Sequence, residues 1–335
     1  MENWFNNAQD YDELRTIRQQ HFYSLVADPI ILNQYHDYLM QKVVSIAMQR
    51  VDFTSPSPSS FAFFVMGSAG RKEQGPWSDQ DHGMVYIEST HSSLYFEQLA
   101  EEITEGLQIS GYEKCDGNVM ATNPKWCKPL IEWKEQLKSW VDMNDWESVR
   151  NLLTFMDARV IMGNAPFIQE MKELIWKEID VHPALLQRMI ENTKYRRKPL
   201  NLLGQLILER YGQFASHFQL KEHVLIPYVN AIRLLSIAEK IQATSTTDRV
   251  IEICSQTPYA EEMQEFIIAY QELEQIRFQY YAENLPATYE ESHYIQPASL
   301  TKEQTAKLKE IIKKGKKLHT FIHQTILHTA RKRKT

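Results

Sequence analysis

FFVMGSAGRKEQGPWSDQDHGMVYIE, residues 63–88, sets the reading of the whole chain. An aromatic and apolar run gives way to small residues, then to two aspartates, then to a second apolar run. The chain holds 11 glycines, and three of them (Gly67, Gly70 and Gly75) crowd into this one turn. Taken back to Phe61, the first run reads FAFFVMG, a buried strand closed by glycine, and MVYIE at 84–88 reads as a second strand. Gly67 and Ser68 directly after a strand present backbone N–H groups and a hydroxyl at the start of a short helix, where a phosphate is stabilised. The Walker spacing with its Gly-Lys-Ser/Thr is absent, so this is not the common NTPase loop.

Asp79 and Asp81 lie two apart at the entry to the second strand, so the pleat turns both carboxylates to one face and His82 to the other. Two such carboxylates can hold divalent ions about 4 Å apart, the clamp used for in-line phosphoryl displacement. Hard oxygen donors without a His or Cys partner suit Mg²⁺, or Mn²⁺, rather than zinc.

Around this stretch the chain is helical in texture. Residues 10–52 carry apolar positions at spacings of three and four, interrupted at Asp28-Pro29. TSPSPSS, 54–60, is a linker. A helix is predicted from Ser92 to a C′ glycine at Gly111, and YEKCDGNVMA, 112–121, supplies a third strand. From 123 onward nearly everything reads as amphipathic helix, WESVRNLLTFMDARVI at 146–161 included. The predicted fold class is α+β, a small mixed-sheet core at 54–122 between an N-terminal helical segment, 1–53, and a C-terminal helical bundle, 123–335.

A net charge of −6 and a pI near 6.0 disfavour a nucleic-acid binder, which needs a basic stripe. The short basic run KYRRKP, 194–199, reads as a solvated face. Three widely spaced cysteines form no CxxC pair, and the acidic N-terminus lacks the features of a signal peptide, so the expected location is the cytoplasm, with no membrane partner.

GSAGRKEQGPWSDQDHGMVY resembles the nucleotidyltransferase signature of the DNA polymerase β superfamily, with Gly-Ser opening a helix and Asp-x-Asp downstream. The fuller pattern, Gly67-Ser68-x-Gly70-Arg71-x-Glu73 with Ser78-Asp79-x-Asp81, is most similar to the branch holding PII uridylyltransferases and glutamine synthetase adenylyltransferases. Within that branch it is most like the DUF294 nucleotidyltransferases. GNVMATNPKW, FMDARVIMGN and QLKEHVLIPYVNAIRLL resemble later segments of the same group, including its helical substrate-binding domain.

The resemblance implies an NTP substrate, with Gly67, Ser68 and Gly70 at the nucleotide and Asp79 and Asp81 on the metal. Arg71 is read either as a phosphate contact or as an anchor for Glu73, and Lys221 as a neutraliser of phosphate charge. A third carboxylate, the acceptor's proton sink, is sought at Asp116 or Asp157, and both positions stay open. The implied acceptor is a hydroxyl, either a tyrosine of a PII-like regulatory protein or a small molecule of the aminoglycoside type. The alternative is a catalytically inactive nucleotide sensor.

Overall fold

The computed structural model describes residues 2–51, 60–89, 92–194 and 198–332. The expected linker at 54–60 lies outside the described residues except for Ser60, and so does the centre of the basic run, 195–197. Two compact units emerge: Met1–Met143 with Asn151–Lys177, and Asn144–Arg150 with Glu178–Thr335. The fold is α+β, helix-rich, with one small mixed sheet. Among the described residues no helix is long and apolar enough to cross a membrane.

In the first unit, α1 (Glu2–Phe5) and α2 (Tyr11–His21) precede α3 (Pro29–Arg50). The break between α2 and α3 has a local cause. Asp28 accepts hydrogen bonds from the Ile30 and Ile31 N–H groups, and Pro29 occupies the first turn, where a missing N–H costs nothing. Helix α3 buries Leu32, Tyr35, Leu39, Val43 and Val44 and packs on α5 (Ser92–Ile109). Helix α5 stops where expected, with Gly111 at φ +100 and the Tyr112 N–H returning to Leu107 O.

The sheet is built around β1 (Phe61–Val65), whose four residues from Ala62 onward are buried. It pairs antiparallel with β3 (His82–Tyr86) and with β6 (Arg159–Gly163), while β5 (Cys127–Pro129) adds parallel to the outer side of β3. One face is sealed by aromatic packing. Trp126 and Trp133 are fully buried beside Trp140, Phe64 and Phe155, and the Trp133 indole N–H donates to Met84 O.

Two expectations are corrected. The helix predicted through residue 161 ends at Phe155 in α7 (Trp146–Phe155), and the following residues become β6 because the otherwise bare edge of β1 pairs with them. The third strand predicted over 112–121 shrinks to β4 (Glu113–Lys114), which lies outside the main sheet and pairs in parallel with β2 (Asp79–Gln80).

The second unit is helical. It holds α9 (Ala184–Asn192), α10 (Ile226–Ala238), α11 (Thr246–Gln256), α12 (Ala260–Glu283) and α13 (Lys302–Lys332), with α13 packed on α9, α10 and α12. Helix α8 (Pro166–Val181) runs from the first unit into the second. Strand β7 (Phe218–Gln219) pairs antiparallel with β8 (Tyr294–Ile295), and a π-helical turn, Lys221–Leu225, runs directly into α10.

Candidate metal and phosphate site

Strand β1 ends at Val65, and Met66 donates its N–H to Asp81 O at 2.7 Å. That bond fixes the turn beyond β1 against the entry to β3. Gly67 then takes φ +53, and a Cβ at this position would lie 2.0 Å from Asp81 Oδ2. Only glycine satisfies both the left-handed backbone and the close approach of the carboxylate. A single helical turn, α4 (Gly67–Gly70), follows.

Helix α4 is held from below. A Cβ on Gly70 would lie 2.1 Å from Asp157 O, so this glycine serves close backbone packing. Arg159 donates to Ala69 O at 2.8 Å and Gly70 O at 3.3 Å while gripping both carboxylate oxygens of Asp37 on α3.

The N-terminal helices hold the loop from α4 to β2 as well. Asn33 brackets the Gln74 backbone, His36 donates to Gly75 O, and Arg18 donates to Pro76 O and Ser110 O. His36 accepts the Tyr112 hydroxyl at its other ring nitrogen and so stays neutral; burial and the Arg18 charge push its pKa down to about 3.

Asp79 and Asp81 are half-buried, and the residues that alternate with them are buried. Gln80 donates to Thr104 O and Tyr112 O. His82 accepts the Ala121 N–H at Nδ1, which leaves Nε2–H to donate to Gln80 Oε1; burial pushes its pKa down to about 3. These inward partners fix the strand entry that presents the two aspartates on the opposite side. The Ser68 and Ser78 hydroxyls lie 3.3 Å apart, joining the start of α4 to the start of β2.

Among the described residues one group of three has metal-ligating geometry: Asp79, Asp81 and Cys115, with ligand atoms within 4.8 Å of one another. The donor set fits a divalent cation, and the Gly67 cradle leaves room at Asp81 that a side chain would fill. Cys115 stands beside the two aspartates, a residue that the expectation of oxygen donors alone did not include. The register of β2 on β4 explains why: Asp79 faces Glu113, Gln80 faces Lys114, and the next residues in step are Asp81 and Cys115. Burial and the neighbouring Asp81 and Asp79 push the Cys115 thiol up to about 12.

The other candidates lie elsewhere. Asp116 sits in an exposed turn and is not in the group. Asp157 is fully buried and also outside it; its carboxylate accepts from Arg71 Nη1 at 2.6 Å, while Arg71 Nε donates to Glu73 at 2.7 Å. Arg71 is thus buried between two carboxylates. Lys221 belongs to the second unit, where its Nζ donates to the Tyr289 hydroxyl at 2.7 Å and to His293 Nε2 at 2.9 Å.

Two contributors were not singled out from sequence. Cys115 is adjacent to a residue that was, yet only the pairing of β2 with β4 brings it to Asp81. The Asp37–Arg159 pair spans 122 positions, and nothing local marks it.

One family model, described as "Putative nucleotidyltransferase DUF294", matches residues 23–147. A second, "Putative nucleotidyltransferase substrate binding domain", matches residues 183–326. No curated protein matches the chain. The two matches follow one another in sequence across most of its length, the first taking in the whole turn and carboxylate site, and the chain belongs to the DUF294 family.

Proposed function

We propose that the chain is a cytoplasmic nucleotidyltransferase, dependent on Mg²⁺ or Mn²⁺, that moves a nucleoside monophosphate from an NTP to a hydroxyl. The acceptor class is a tyrosine of a PII-like regulatory protein. One observation carries the reading: the Asp81 carboxylate lies against Gly67, where a Cβ would come within 2.0 Å of it. Phosphate turn and metal-holding carboxylates are therefore one surface.

In this reading Asp79 and Asp81 hold the metal, which when bound neutralises phosphate charge and acts as a Lewis acid. Gly67 lets the phosphates approach the turn, and the Ser68 hydroxyl donates to a phosphate oxygen. The Asp37–Arg159 pair holds α4 against α3 and β6 throughout. The acceptor oxygen bonds to the α-phosphorus, the α–β bridging bond breaks, and pyrophosphate leaves. The helical unit supplies acceptor recognition, the role that the description of its matching family model supports.

A second reading, nucleotide sensing without transfer, is favoured by one observation: neither Asp116 nor Asp157 joins the carboxylate group. Incubation with α-labelled NTPs, Mg²⁺ or Mn²⁺, and cell lysate separates the two. Label on a protein acceptor, lost in Asp79→Asn, supports transfer. Label on small molecules instead moves the acceptor class. Nucleotide binding without transfer leaves sensing, and neither binding nor transfer refutes both.

A further inference from the structure

Cys115 stands one residue beyond the pairing of β2 with β4, beside Asp81, and its sulfur lies within 4.8 Å of an oxygen of each aspartate. Donors on one ion, with bonds of about 2.0–2.3 Å, lie no more than about 4.6 Å apart. The three ligand atoms are thus within reach of one ion after small side-chain adjustments. The thiol is held in place: the Val119 N–H donates to the sulfur, and the S–H donates to Asp81. The Asn118 N–H closes a tight turn onto Cys115 O at 3.0 Å, with Asn118 at φ +53, and Val119 O accepts the His82 N–H at 3.0 Å. The turn bearing the sulfur is thus tied to the strand that follows the aspartates.

We propose that Cys115 donates its sulfur to the divalent ion held by Asp79 and Asp81, making a mixed oxygen and sulfur site that favours thiophilic ions over Mg²⁺. The proposal rests on the metal-site reading above and extends it to the choice of ion. Mg²⁺ demands a near-octahedral shell of oxygens and gains little from a thiolate, whereas Mn²⁺, Zn²⁺ and Cd²⁺ accept sulfur increasingly well. Binding through sulfur releases the thiol proton to solvent and moves no electrons. A carboxylate in the same place would leave Mg²⁺ preferred.

Titration of the purified full chain with Co²⁺, followed by absorption, tests the assignment independently of activity. The expected result is a near-ultraviolet sulfur-to-cobalt charge-transfer band that disappears in Cys115→Ser, with Co²⁺ still bound through the aspartates. In parallel, Cys115→Ser weakens Cd²⁺ binding by roughly 10- to 100-fold and changes Mg²⁺ binding far less. Cys115→Ala serves as a second variant, and a thermal melt of each establishes that the turn still folds. Co²⁺ binding that is lost in Asp79→Asn but shows no charge-transfer band and no dependence on Cys115 overturns the proposal and keeps the metal site. Absence of Co²⁺, Cd²⁺ and Mg²⁺ binding in the wild type overturns both.

Discussion

Replacing Asp157 by alanine removes one of two carboxylates from a guanidinium that has almost no access to water. Arg71 and Asp157 side chains are 7% and 0% exposed, and the ion pair between them spans 2.6 Å. Burial alone would lower the arginine's pKa, but Glu73 and Asp157 together raise it, so Arg71 is charged in the fold. Breaking a buried pair from one side costs about 3–5 kcal/mol, because the remaining charge stays buried. Glu73 still holds Nε at 2.7 Å, which puts Asp157→Ala at the low end, about 3 kcal/mol. At about 2–4 °C per kcal/mol, the transition of the first unit falls by about 6–12 °C. Scanning calorimetry of the two proteins reads this directly, with Asp116→Ala as the comparison; its exposed turn predicts a change within about 0.5 kcal/mol. An Asp157→Ala protein that melts like wild type yet transfers no nucleotide would refute the ion-pair account and make Asp157 the missing proton acceptor.

Gly67→Ala meets two penalties: a left-handed backbone, worth about 1–2 kcal/mol, and a Cβ driven into Asp81 Oδ2. The transition falls by a few degrees and metal affinity drops by about tenfold or more, read by calorimetric titration; unchanged metal affinity would contradict the cradle. His36 gives a pH dependence. Its pKa in the fold is pushed down to about 3 against roughly 6.5 unfolded, so below pH 6.5 the unfolded chain takes up a proton that the fold refuses. Its contribution is whole above about pH 6.5 and stability falls toward pH 3, by up to about 1.4 kcal/mol per pH unit. Urea titrations at neutral and mildly acidic pH should show a shallower slope in His36→Asn, and an unchanged slope would remove His36 from the account.

What sequence made legible follows from range. Strand β1, the end of α5 at Gly111 and the break at Asp28-Pro29 rest on neighbours a few positions apart and stand where the residues imply, while β3 begins two residues earlier than its apolar run, at His82, and ends at Tyr86. The face of His82 follows from strand alternation, and its ring does point inward to Gln80. Strand β6 was hidden because TFMDARVI continues the apolar spacing of α7, and only the open edge of β1 turns it into a strand. The partner of Asp157 was hidden because Arg71 lies 86 positions away and the acid's helical neighbours offered nearer candidates. Cys115 was hidden for the same reason. A two-residue parallel pairing leaves no trace in composition or period, yet it decides which atom stands next to Asp81.

A crystal structure of the chain with a non-hydrolysable NTP and Mn²⁺, using the anomalous signal of manganese, tests the central claim most directly. The account predicts a manganese peak bounded by Asp79, Asp81 and Cys115 Sγ, with the nucleotide phosphates lying over Gly67 and Ser68. Manganese bound elsewhere, or a nucleotide held away from that turn, would contradict it.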